Sequence, residues 1–236
     1  MATMLDDGSW EVQGRRLGFP VRISAASAAC AAYLVRTALA RPLVAGTGLE
    51  LVSVAGRTPL LLVLVDYRVN ELGDYDEAGV AFLVRHRGVT GPYVHQLPVT
   101  QSFTMEAGRA LWGLPKWPAR VDLTIDGGHA SCRLADDTGR HVLTATMRAL
   151  PPRLPFTVPG AITALAPHGG GVLASPVRAR VGGLRLRVGG GAHVELGRGH
   201  PMADELRALR LPRRPLATVT ADRVSFDMGA AIEVPR

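Results

Sequence analysis

The amino-acid sequence predicts a mainly β chain of the α+β class: antiparallel strands with a few flanking helices, laid out as one domain over residues 1–236. Three observations lead there. Segments dense in apolar and β-branched residues, 59–69, 78–87 and 93–99, are each bounded by turn-forming residues. Two further segments, VRARV and LRLRV, alternate apolar residues with arginine, the period-two pattern of a strand with one dry face. Glycine and proline, 27 and 17 of 236 residues, punctuate the chain between such segments.

In chain order, residues 1–11 are expected to form a loose N-terminal segment. The stretch SAASAACAAYLVRTALAR, 24–41, is rich in alanine, with Ser24 as a cap and Pro42 as a stop, and predicts a helix. PLLLVLVDYRV (59–69) predicts a buried strand, ELGDYDE (71–77) a polar turn and AGVAFLVRHR (78–87) the next strand. YVHQLPV (93–99) follows the Gly91-Pro92 turn as a third strand. SFTMEAGRALWG (102–113) fits a short helix that Ser102 can cap and Gly113 can end. A meander follows, VDLTI turning at Asp126-Gly127-Gly128 into HASCRL, then at 136–139 into RHVLTATMR. VRARV and LRLRV, joined by Gly182-Gly183, predict a hairpin, and Arg178, Arg180, Arg185 and Arg187 form its solvated face, with an anion site as the alternative. The glycine clusters 169–171 and 189–191 lie between strands, as turns rather than phosphate cradles. The helix MADELRALR and the strand TADRVSFDM close the chain.

The formal net charge of +7 suggests an anionic partner. The basic residues are scattered, however, and aromatics make up only 5%, which leaves little for stacking on bases. A small anionic substrate is expected, not nucleic acid. Cys30 and Cys132 are few and far apart, in keeping with a reducing compartment and no disulfide framework. The opening MATMLDDGSW is acidic and lacks the apolar run of a signal peptide, and the apolar run 60–65 is too short to span a bilayer. A cytoplasmic protein without a membrane partner is expected. No pair of histidines, cysteines or acids has metal-ligand spacing, so neither metal nor cofactor is expected.

Among 27 basic residues only Lys116, in LWGLPKWPAR, is lysine. Arginine serves as well for surface charge, but its guanidinium stays protonated, whereas an amine can lose its proton and attack a carbonyl. A sole lysine between Pro115 and Trp117, just past a helix end, invites a nucleophilic reading against the plainer one of arginine-rich composition.

GPYVHQLPVTQSFTMEAGRALWGLPKWPA, with DYDEAGVAFLV ahead of it, resembles the acetoacetate decarboxylase family. That family carries a YxE segment on one strand and, further along, a GRExxGxPKK-type segment. Here these are Tyr75-Asp76-Glu77 and Gly108-Arg109 through Pro115-Lys116, and GHPMADELRALRLPRRPLATVTADRVSFDM is similar to the family's closing loop, helix and strand. The resemblance implies a β-barrel or cone, a homo-oligomer, and a lyase acting on a keto acid through an imine. It implies that Lys116 forms the Schiff base and that Glu77 handles protons or orients the imine; the plainer reading of Glu77 is a solvated turn residue. It places Arg16, or Arg15 with a different gap, where an arginine can hold the substrate carboxylate. Trp117, Leu62 and Leu114 fall at pocket positions, and Trp112 is either wall or core. Arg109 is expected to anchor the helix, with Glu106 beside it, and His95 to be packing or surface.

Two departures bear on the reaction. Where the decarboxylases place a second lysine after the reactive one, this chain has Trp117. Acetoacetate decarboxylase is the standard example of a lysine activated by desolvation or a neighbouring cation. Without the cation, burial becomes the main lever: roughly three pKa units are needed, and burial can supply up to about 3–5. The family's further glutamate, fifteen residues ahead of Glu77, falls on Leu62, with Asp66 and Glu71 out of register. Decarboxylation is the first expectation, aldol or dehydration chemistry on keto acids the second, and a non-catalytic ligand-binding member of the fold the third.

Overall fold

The computed structural model describes residues 2–234. Its elements follow in the order β1 (Thr3–Met4), β2 (Trp10–Val12), β3 (Arg15–Leu17), β4 (Val21–Arg36), α1 (Thr37–Ala40), a 3-10 turn (Arg41–Val44), β5 (Glu50–Leu51), β6 (Arg57–Asn70), β7 (Tyr75–His86) and β8 (Val89–Val99). Then come α2 (Ser102–Trp112), β9 (Lys116–Asp126), β10 (His129–Asp136), β11 (His141–Arg148), β12 (Thr157–His168), β13 (Gly171–Val188), β14 (Ala192–Leu196), α3 (Pro201–Ala208), β15 (Ala217–Met228) and β16 (Ile232–Val234). The mainly β, antiparallel expectation holds.

Seven strands, β7–β8–β12–β13–β15–β4–β6, close into a ring because β8 pairs with β7 as well as with β12. The pairing is antiparallel except for β8 with β12 and β8 with β9. From β8 the meander β9–β10–β11–β14 branches off as an extension of the sheet. Two apolar clusters fill the structure. One lies among β4, β6, β7, β9–β11 and α3, with Leu60, Leu62, Phe82, Leu143 and Leu206. The other lies under α2 and the first strands, with Val12, Tyr67, Tyr75, Phe103 and Trp112. In β6 and β7 successive side chains turn alternately to the two clusters, as the pleat requires.

The sequence expectation fails at 24–41, which is the strand β4 and only then the single turn α1. Alanine favours a helix, but here small side chains let β4 run between β15 and β6, paired on both edges. Ala29, Ala31, Tyr33 and Val35 alternate into the first cluster, so a two-sided ladder outweighs the local preference. The hairpin expected at Gly182-Gly183 is also corrected: VRARV and LRLRV belong to one strand, β13. Gly183 takes a positive φ of 68° where a Cβ would meet the Asp222 side chain at 2.7 Å, so the pair bends the strand without reversing it. The turn expected over 71–77 is shorter, since Tyr75, Asp76 and Glu77 already lie in β7. Within the N-terminal stretch expected to be loose, Thr3 and Met4 pair with Glu11 and Trp10. Strands β12 and β14, which the sequence marks only as neighbours of the glycine turns at 169–171 and 189–191, take definite bounds here. Both cysteines are free thiols, and among the described residues no helix is long and apolar enough to cross a membrane.

Asp76 lies opposite Asp66 across β6 and β7. Burial, then the charges of Asp66, Asp74 and Asp122, push its carboxyl up to about 6 from 3.8. A carboxyl whose folded pKa exceeds its unfolded value costs stability when ionised, so this cost appears as pH rises from about 4 to about 6 and is full above that. Asp76→Asn is expected to stabilise the fold by ~1 kcal/mol at neutral pH, after allowance for solvent screening of a half-buried group. Denaturant unfolding of both proteins across pH checks this: the difference should vanish below the ordinary carboxyl range.

Candidate active site

The site begins with how α2 ends. Gln101, not Ser102, caps its start, accepting from the Thr104 amide through its side chain at 3.2 Å. Gly113 ends it in the left-handed conformation at φ 64°, where its amide reaches the Arg109 carbonyl and the Leu114 amide reaches that of Gly108. The chain then enters β9 at Lys116, paired in parallel with Leu97 of β8. Arg109 donates from Nε to the Lys116 carbonyl at 2.6 Å, tying the helix to the first residue of the strand. Its structural role is the one expected from the sequence.

Lys116 points under α2 into the second cluster, where it is 3% exposed. Its Nζ lies 3.0 Å from Glu77 Oε2 and donates to Thr104 Oγ1 at 2.8 Å. The Tyr75 hydroxyl is at 3.5 Å, and the ammonium stands 4.8 Å from the centre of the Tyr75 ring. Glu77, 7% exposed, accepts at Oε1 from the Tyr67 hydroxyl at 3.1 Å. Tyr67 and Tyr75 face each other across β6 and β7 and stack at 4.3 Å. Glu77 is thus a buried strand residue, not the solvated turn residue of the plainer reading.

The electrostatics differ from the sequence expectation. Burial pulls the Lys116 ammonium toward neutrality, but the Glu77 carboxylate, with Tyr75, holds the proton on, and the result is a pKa raised above the ordinary 10.5. The resting site is a buried ion pair. Burial and the Glu77 charge drive the Tyr67 phenol well above 10, so it remains a donor to the carboxylate.

Glu77, Lys116 and Leu114 are brought to one side of the sheet, Leu114 packing at the rim of the second cluster. Trp117, the next residue along β9, packs against the first cluster, gives its Nε1 proton to Gln96 at 3.0 Å and lies 5.2 Å from the His200 ring. Leu62 is buried in the first cluster and is not brought to the lysine. Arg16 is exposed on β3 and tied to Asp7 and Ser9. Arg15 donates to the Glu71 carbonyl and lies over the Phe103 ring. Trp112 is core, with Nε1 donating to the Gly229 carbonyl. Glu106 accepts from Gln13. His95 lies 3.0 Å from Glu205 of α3, on the Trp117 side. Among the described residues no group of three or more histidine, cysteine or acidic side chains could hold a metal ion.

Sequence reasoning missed Thr104 and Tyr67. The signal for Thr104 is its spacing from Gly108, one helical turn, which puts both on the face of α2 toward Lys116. A Cβ on Gly108 would stand 2.7 Å from Cδ and 2.8 Å from Cε of Lys116, a chain pinned at its tip by Glu77 and Thr104. Gly108→Ala should therefore displace the amine. In an unobstructed helix the change would stabilise by about 1 kcal/mol; here denaturant unfolding should show a loss of about 1 kcal/mol or more, while circular dichroism stays that of the folded chain. Unchanged or increased stability would mean that the close approach is not needed.

A family model described as acetoacetate decarboxylase (ADC) matches residues 13–229. Curated relatives match over a short stretch: the acetoacetate decarboxylase of Acidiphilium cryptum is 39% identical over 54 residues, 23% of this chain and 22% of that protein. Acetoacetate decarboxylase 1 of Bradyrhizobium diazoefficiens is 37% identical over 54 residues, with the same coverage of 23% and 22%. The fold is similar to that of a solved acetoacetate decarboxylase, with TM-score 0.66 and 19% identity over 93% of this chain and 91% of the other. It is also similar to the enduracididine biosynthesis enzyme MppR complexed with pyruvate, with TM-score 0.63 and 17% identity over 92% and 91%. The chain belongs to the acetoacetate decarboxylase family.

Proposed function

We propose that the protein is a lyase that acts on a small keto acid through a Schiff base on Lys116. The observation that carries this is the buried contact of 3.0 Å between Lys116 Nζ and Glu77 Oε2. An amine held as an ammonium cannot attack, so the first step is transfer of its proton to Glu77 Oε2. The neutral amine adds to the substrate ketone, and loss of water leaves an iminium. The raised pKa of Lys116 favours this intermediate. An iminium carries the same single positive charge at the same nitrogen, so the carboxylate that holds the ammonium stabilises the iminium as well.

Decarboxylation follows when the bond to a carboxylate β to the iminium carbon breaks and its electron pair moves into the iminium, giving carbon dioxide and an enamine. Glu77 passes its proton to the departing hydroxyl as the iminium forms; the enamine carbon then takes a proton from solvent, and hydrolysis of the new iminium releases the ketone and restores Lys116. Thr104 fixes the direction of the Nζ lone pair, and Tyr67 holds Glu77 in place. With Lys116 and Glu77 nearly sealed from solvent, the substrate must displace the side chains that cover them. Water is then excluded from the iminium until the carbon–carbon bond has broken.

A second reading, aldol or dehydration chemistry on a keto acid, draws support from the similarity to MppR. One solved form of that enzyme holds pyruvate and another the condensation product of pyruvate and imidazole 4-carboxaldehyde. Removal of a proton from the carbon next to the iminium gives the same enamine, which then attacks an aldehyde. The lysine and the carboxylate serve both reactions.

Borohydride reduction in the presence of acetoacetate or pyruvate tests the shared step, because the chain offers one lysine. An adduct that maps to Lys116 and is lost in Lys116→Arg is expected, and carbon dioxide release from acetoacetate selects decarboxylation. No adduct with either keto acid, at mildly acidic or mildly alkaline pH, would contradict the proposal. Glu77→Gln removes the charge that holds the proton on the amine. Trapping should then reach its midpoint at least about one pH unit lower, while turnover falls by about 100-fold or more because proton transfer to the departing hydroxyl is lost.

A further inference from the structure

The ring of strands carries a second basic feature, on the outside of the sheet and apart from Lys116. A concavity of about 290 Å³ opens where β13, β15, β4 and β6 lie side by side, and Arg180, Arg223 and Arg68 line it together with Ser24, Thr157 and Ser225. It follows from sheet geometry. The register between β15 and β4 shifts at 221/224 and again at 224/226, and that between β4 and β6 shifts at 23/25 and 25/26, so the surface dips where the bulges coincide. Gly182 forms part of the floor: a Cβ there would lie 3.0 Å from Thr157 Oγ1 and 3.1 Å from Arg223 Nη2.

The arginines of these strands differ in their partners. Arg22 approaches Asp227 at 3.9 Å, and Arg185, which strand parity turns to the opposite face, pairs with Asp222 at 2.7 Å. Arg68 is braced by Asp66 at 2.6 Å and Ser27 at 2.7 Å, with its charge partly offset. Among the described residues Arg180 and Arg223 pair with no acid. Two unpaired guanidiniums and one braced one therefore converge on a single dip rimmed by hydroxyls. Their net charge suits a group of nearly two negative charges. Guanidinium forks match phosphoryl oxygens two at a time, and hydroxyls supply the remaining hydrogen bonds. No aromatic side chain lines the dip, so stacking of nucleic-acid bases has no platform there.

We propose that this concavity is a binding site for a small ligand that carries a phosphoryl group. Arg180 and Arg223 hold the phosphoryl oxygens, Arg68 sets the rim, and Gly182 keeps the floor open. The site lies on the strand β6 beside Tyr67, on the opposite face, and does not depend on the chemistry proposed for Lys116.

Isothermal titration of the whole protein with inorganic pyrophosphate tests it, with citrate as a carboxylate of comparable charge. Saturable binding of one pyrophosphate per chain is expected, tighter than citrate. Arg180→Ser with Arg223→Ser should weaken it at least about tenfold, and Gly182→Val should weaken it without any change of charge. Arg213→Ser with Arg214→Ser removes the same charge from an exposed loop elsewhere and should leave binding intact. Unsaturable binding, equal losses in both double variants, or equal affinity for citrate would each overturn the proposal.

Discussion

The structure depends on one buried ion pair. Lys116 and Glu77 sit under α2 among apolar side chains, and neither charge could be buried there alone. Breaking such a pair by removal of one partner costs about 3–5 kcal/mol, because the other charge is stranded. The fold is arranged so that this does not arise. Glu77 lies in β7 and Lys116 opens β9, and β8 pairs with both strands, so the ring closure that joins β7 to β8 also fixes the distance between the two charges. Thr104 and Tyr67 each take up one further hydrogen bond, and Gly108 yields the space for the lysine stem.

Under the proposed mechanism the same pair accounts for a chain that lacks the second lysine of its family's motif. A neighbouring cation would push the reactive amine toward neutrality. Trp117 not only lacks that charge but turns to the opposite cluster, where it joins Gln96 and His200. What remains beside Nζ is a carboxylate, which favours a positive nitrogen. Under the proposed mechanism, activation comes from transfer of the proton within the pair rather than from a standing population of free amine, and the same carboxylate then favours the iminium.

Much of this was legible in the sequence, and the failures have physical causes. The strands at 59–69, 78–87 and 93–99 and the helix before the lysine are marked by β-branched runs and by Gly113 at the helix end, and the structure keeps all of them. The 24–41 stretch misleads because alanine's local preference is outweighed by pairing on both edges of β4; Val21, Ile23, Tyr33 and Val35, at alternating positions, are the trace of the strand. Lys116 and Glu77 stand out by rarity and by motif. Thr104 and Tyr67 do not, since a hydroxyl gains meaning only when the fold sets it against a buried charge. Leu62 illustrates the converse: it occupies the counted position but faces the other cluster, because strand parity, not sequence separation, decides which side a residue serves.

The charge state of Lys116 can be read directly, since lysine labelled with carbon-13 at Cε gives a single side-chain resonance in this protein. A pH titration of that resonance in the resting chain should show an ammonium that persists beyond the ordinary 10.5, until the fold itself is lost. A reversible midpoint near neutral pH in the folded protein would contradict the ion-paired resting state. It would point instead to an amine set free by burial alone.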